Sequence, residues 1–170
     1  LSFRGFIASA SSYTAESSEK ENLSKAIEYF QGGKYHEALL LFQKLKSTYQ
    51  LNVRFLAYMG VCHFYDRDYA MAAGILDSIM SRLGAFAPSE RSIYYHCAAE
   101  SHYQLGQYGQ AIQLFEAQSL LCHKDEIGDI CLRIGLCHRN LGHVDVAQEY
   151  LLQAMAYYRK FNNSHKLSVV

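Results

Sequence analysis

Apolar side chains recur along the chain at intervals of three and four residues, the spacing that gathers them on one face of an α-helix. Leu23, Ala26, Ile27 and Phe30 keep this rhythm until Gly32-Gly33 stops it, and Tyr35, Ala38, Leu39, Phe42 and Leu45 resume it at once. The same alternation of helical runs and short breaks predicts further helix pairs over about 53–65 and 69–83, 90–105 and 108–121, and 127–141 and 144–159. Ahead of them, Ser11 to Ser18 is small and polar and reads as a linker. Ser18 followed by Glu21 has capping-box spacing and predicts the start of the first helix. Ser89 is the expected N-cap of the fifth.

Aligning the breaks brings Tyr35, Tyr69, Tyr108 and Val144 into register. Each is followed by an alanine (Ala38, Ala72, Ala111, Ala147) and then by a bulky apolar residue (Phe42, Leu76, Phe115, Leu151). Earlier in each unit stands a small residue: Ala26, Gly60, Ala99 and Gly135. Antiparallel helices approach closely only where small side chains face each other, so this position predicts the crossing point of each pair. Gly33, Gly106 and Gly142 supply helix stops.

This pattern resembles the tetratricopeptide repeat (TPR), whose unit is about 34 residues. The resemblance covers about 19–158, and the units fall at about 19–52, 53–88, 89–125 and 126–160, after a lead over 1–18. The family's Trp position holds Asn22, Leu56, Tyr95 and Cys131, and its closing Pro is missing. The resemblance implies an all-α fold, a right-handed α-α superhelix of about four helix hairpins. It further implies that the first helix of each pair lines a concave groove for a peptide or helix of a partner protein.

Carried over by register, the groove would take its affinity from Phe30, Phe64, Tyr65 and Tyr103, with Arg54, His96, Glu100 and Arg139 setting orientation. The family's carboxylate clamp needs lysine and asparagine where the first unit has Leu23 and Ile27, which argues against a cochaperone of that type. An apolar groove is similar instead to that of secretion-type TPR chaperones for hydrophobic clients. A structural fragment of a longer TPR scaffold is a further reading.

Composition narrows the chemistry. With 16 Lys+Arg against 16 Asp+Glu the formal net charge is +0, so no general field draws the chain to nucleic acid or anionic lipid. No run approaches the roughly 20 apolar residues of a membrane span. Five cysteines make an odd set without disulfide-scaffold density, which favours a reducing, cytoplasmic setting. Leu1 to Ala10 reads two ways: a signal-peptide remnant, implying an exported form, or a segment docked on the core. The tetrads Gly60-Val61-Cys62-His63 and Gly135-Leu136-Cys137-His138 invite a metal reading, but equivalent positions on stacked repeats lie about 8–10 Å apart, too far to share one ion. Phosphate loops, dinucleotide fingerprints and hydrolase elbows do not occur. The chain reads as non-enzymatic, without cofactor or metal. Asn22-Leu23-Ser24 and Asn162-Asn163-Ser164 match the glycosylation pattern, and the first falls inside a predicted helix.

Overall fold

The computed structural model describes the backbone of residues 3–161 and the side chains of residues 15–161. The Asn162-Asn163-Ser164 pattern lies outside the described residues. Eight α-helices are described: α1 (Phe3–Gln31), α2 (Tyr35–Tyr49), α3 (Val53–Tyr65), α4 (Tyr69–Ile79), α5 (Pro88–Gln104), α6 (Tyr108–Ser119), α7 (Ile127–Asn140) and α8 (Val144–Lys160). They form four hairpins, each second helix packing on the first helix of the next pair, while α3 also touches α5. The two longer connections carry 3₁₀ turns, Met80–Ala85 and Lys124–Glu126. The architecture is an all-α solenoid.

One turn is built four times. At the end of each first helix, the backbone N–H of Lys34, Asp68, Gln107 and His143 donates to the carbonyl of Tyr29, His63, His102 and His138, at 2.8, 2.9, 2.9 and 2.9 Å. This closure needs a left-handed residue just before the donor. Gly33, Gly106 and Gly142 supply it with φ of 75°, 74° and 80°, and in the second hairpin Arg67 adopts it at φ 62°. The donor residue then starts the next helix, since its own carbonyl accepts from Ala38, Ala72, Ala111 or Ala147.

The paired side chains meet as well, which accounts for the repeated Cys-His tetrads. Lys34 Nζ lies 5.8 Å from the Tyr29 ring centroid. His63 Nδ1 approaches Asp68 Oδ2 at 3.3 Å, without the alignment of a hydrogen bond. His102 Nδ1 bonds Gln107 Oε1 at 2.6 Å and its Nε2 reaches Asp77 at 2.9 Å, while His138 and His143 meet at 3.1 Å. Each histidine thus clasps its own turn. Among the described residues no group of three or more His, Cys, Asp or Glu is placed to hold a metal ion, and no helix is long and apolar enough to cross a membrane.

The core follows the crossing points. Ala26 and Ala99 are fully buried, and a Cβ on Gly60 would lie 2.6 Å from Leu76 Cγ. Phe42, Leu76 and Phe115 fill the space beside these contacts. The described cysteines are free thiols. Burial pushes Cys62 and Cys97 up to about 12 and Cys137 up to about 11, so they stay protonated and covered at neutral pH. Cys131 is buried too, whereas Cys122 is half-exposed near the end of α6. With a disulfide reagent such as DTNB, the native protein is expected to release one equivalent of chromophore, which Cys122→Ser removes, and the remaining four only on unfolding.

Three local expectations are corrected. Ser11 to Ser18 is not a linker, and Ser18 does not cap a helix start, because α1 runs unbroken from Phe3 to Gln31. Nothing between Gly5 and Gly32 breaks a helix, alanines favour one, and Glu16 pairs with Lys20 one turn on at 3.3 Å. Ser89 does not cap α5 either. That helix starts at Pro88, with Ala87 before it, because proline needs no N–H in the first turn and has its φ preset for helix.

Candidate functional site

Cavities open beside the first helices of the pairs. Among three of these the largest, about 660 Å³, lies between the start of α5 and the end of α6 and includes Tyr65, Ile93, His96, Gln118 and Glu126 in its wall. A neighbour of about 490 Å³ between α5 and α7 shares His96, Gln118 and Glu126 and adds Glu100, Asp129, Leu132 and Arg133. The third, about 460 Å³, sits between α1 and α3 over Phe42 of α2. Each site therefore has first helices as walls and a second helix as floor.

Of the expected groove residues, Phe64, Tyr65 and His96 come together, and the others do not join them. Tyr65 is 51% exposed and stacks on Tyr35 at 4.1 Å, and Ile93, beside it in the largest cavity, is 52% exposed. Half-buried Phe64 meets Tyr65 edge-on at 5.1 Å and the His96 ring at 6.0 Å. These side chains form one continuous aromatic and aliphatic strip from α3 to α5. Phe30 lies apart, sandwiched into the first interface by Tyr58 at 4.1 Å and Tyr35 at 5.5 Å. Exposed Arg54 pairs with Glu90 at 3.4 Å and covers the Phe86 ring at 4.8 Å, tying α3 to α5. Arg139 is exposed in the last turn of α7.

Glu100 and Tyr103 are engaged within the protein, by a residue that register alone does not single out. Arg133, from α7, donates through Nε to Glu100 Oε2 at 3.0 Å and through Nη2 to Oε1, and its guanidinium lies 4.6 Å from the Tyr103 ring centroid. Glu100 is buried, so its carboxylate serves the α5–α7 interface rather than projecting freely into the groove. Burial pulls the Arg133 pKa down from the usual arginine range. His96 is exposed to solvent, yet the protein packed around its ring desolvates it, and this, followed by the positive charge of Arg133, lowers its pKa. It is a neutral imidazole at pH 7, able to donate and accept one hydrogen bond.

Comparison with known proteins bears on the frame that carries these residues. No family model matches the chain, and no curated protein matches it. Solved structures do. A crystal structure of MamA protein superposes with a TM-score of 0.69 at 16% identity, covering 89% of this chain and 79% of that one. MamA AMB-1 superposes with 0.68 at 16% identity, covering 82% and 78%. The fold is of the TPR type. At that identity the likeness is one of backbone, and the side chains that line the cavities are this chain's own.

The repeat register also identifies what sets these cavities apart. Where the third unit has His96, the others have Leu23, Ala57 and Leu132; where it has Glu100, they have Ile27, Val61 and Leu136. Gln118 stands in the place of Leu45, Ile79 and Ala154, which are at most 2% exposed. Gln118 is itself only 6% exposed. These breaks in an apolar register were the signal available in the sequence for the polar cavity.

Proposed function

We propose that the chain is a protein-interaction module whose TPR-type groove binds an extended or helical segment of a partner protein. The observation that carries this is the strip of Phe64, Tyr65, Ile93 and His96, exposed or half-exposed and opening onto two adjoining cavities of about 490 and 660 Å³. Exposed apolar and aromatic side chains in a concave, largely preformed site are what interface hot spots need, because a partner side chain can be desolvated there at little ordering cost. Net charge of +0 leaves recognition to this local surface. The MamA likeness contributes the frame and no partner.

The test uses peptides selected on the immobilised protein from a random phage-displayed library. Tyr65→Ala and Ile93→Asp are each expected to weaken the selected peptides about tenfold or more, whereas Leu40→Ala, on α2 and 50% exposed, leaves affinity unchanged. Equal loss from Leu40→Ala, or none from Tyr65→Ala and Ile93→Asp with the fold intact by circular dichroism, places binding elsewhere.

A further inference from the structure

At the hairpin turns each histidine has a polar partner. His36, His63 and His102 have a carboxylate oxygen of Asp66, Asp68 and Asp77 within 3.3 Å, and His138 and His143 have each other. His96 lies on the strip from α3 to α5 instead, where the other units hold Leu23, Ala57 and Leu132. Among the described residues it has no ion pair and no side-chain hydrogen bond, and its ring meets that of Phe64 edge-on at 6.0 Å. It is in the wall of both adjoining cavities, beside the exposed side chains of Tyr65 and Ile93. A segment lying on the strip therefore covers a titratable ring that has no counterion of its own.

The groups around the ring do not supply one. Arg133, from α7, opposes a second positive charge, and Glu100, one turn further along α5, is committed to Arg133. Glu126, from the turn before α7, favours the charged ring but acts less than desolvation or Arg133, and one of its oxygens accepts the His123 N–H at 2.9 Å. Asp129 of α7 accepts the Tyr158 hydroxyl at 2.9 Å. Tyr65 of α3 and Cys122 after α6 are both pushed up by burial from their ordinary values, so they stay neutral through the range in which His96 titrates. His123 completes the wall of the larger cavity.

We propose that His96 is a proton-sensing residue of the groove: a polypeptide lying on the strip is held while the ring is neutral and loosened when the ring becomes an imidazolium. This rests on the groove reading above and adds a regulation to it. An apolar segment over Phe64, Tyr65 and Ile93 takes water away from His96 as well. A neutral imidazole loses little by this, because a peptide N–H or C=O replaces its water. An imidazolium loses hydration and gains no carboxylate. The bound state therefore disfavours the proton, and by linkage the proton disfavours the bound state. Because the free ring already titrates below the ordinary 6.5, affinity is full above that pH and is lost as the pH falls.

The probe is a peptide selected at pH 7.5 as above, synthesised with acetylated and amidated ends and lacking His, Asp and Glu. Its affinity for the full chain is expected to be level from pH 8 to 6.5 and to fall to about a tenth at pH 5, with the fold intact by circular dichroism. His96→Leu, which restores the residue type of the first and fourth units, should give an affinity that no longer changes across this range. His123→Gln, at the other histidine of the larger cavity, leaves the fall in place. In a ¹H NMR titration the His96 ring should protonate at a lower pH in the saturated complex than in the free protein. Affinity that stays level down to pH 5, a fall that survives His96→Leu, or a ring that protonates at the same or a higher pH in the complex overturns the proton sensor and leaves the groove standing. Peptides whose binding ignores both Tyr65→Ala and Ile93→Asp remove the groove, and the sensor with it.

Discussion

Replacing Arg133 by methionine is expected to destabilise the protein by about 3 kcal/mol, because it leaves the carboxylate of Glu100 buried without its cation. The side chain of Glu100 is 8% exposed and that of Arg133 33%, so the estimate sits at the lower end of what a broken buried pair costs. Gln104 Nε2 remains as a donor to Glu100 Oε1, but at 3.3 Å and without charge. The decisive comparison is the double replacement Glu100→Leu with Arg133→Met. It gives the third unit the leucine that Leu136 supplies in the fourth and removes both charges at once. Stability should return to within about 1 kcal/mol of the starting protein or exceed it, since an apolar pair avoids desolvating two ions. Denaturant unfolding of the three proteins measures this. A single replacement costing no more than an exposed ion pair, under about 1 kcal/mol, would show that Glu100 is not held in this way.

Gly60→Ala is expected to cost about 2 kcal/mol, whereas the equivalent Gly135→Ala should be close to neutral. In an exposed helix, alanine would gain about 1 kcal/mol over glycine. At Gly60 the added Cβ meets Leu76 Cγ at 2.6 Å and Cδ2 at 2.7 Å, and Leu76 is fully buried. The leucine has no room to withdraw, so α3 and α4 must separate. At Gly135 the contacts are 3.1 Å to half-buried Leu151 and 3.3 Å to the Ala147 carbonyl, so a small rotation relieves them. The first and third units already hold Ala26 and Ala99 at this position without exposed surface. Paired thermal unfolding of the two variants tests the crossing geometry, and equal costs would contradict it.

The fold was legible because its signals are redundant. Each hairpin states itself through apolar spacing, a small residue at the crossing and a turn of fixed chemistry, and four copies reinforce one another. Arg67 shows how this works, adopting the left-handed turn without glycine because the hydrogen bonds on both sides are the same as in the other turns. Where a single weak signal stood alone, it misled. The serines of 11–18 and Ser89 look like breaks and caps, yet serine tolerates a helix interior and Pro88 had the stronger claim on the first turn of α5. The functional face was legible only in outline. Register placed Tyr65, His96 and Glu100 on the first helices, but whether a polar side chain is free or engaged depends on the distance between repeats. Arg133 reaches across from α7 to claim Glu100 and Tyr103, and the sequence separates Arg133 from Glu100 by 33 positions. Gln118 was hidden for the opposite reason, since a second helix of the pair was not expected to contribute to the groove.

The central claim is that a polypeptide binds along the concave strip of α3 and α5. Mapping a selected peptide onto the ¹⁵N-labelled protein by chemical-shift perturbation tests it most directly. Shifts concentrated at Phe64, Tyr65, Ile93 and His96, with Leu40 and Leu152 on the second helices undisturbed, are the predicted result. Saturable binding that perturbs Leu40 or Leu152 and leaves Tyr65, Ile93 and His96 unmoved would contradict it.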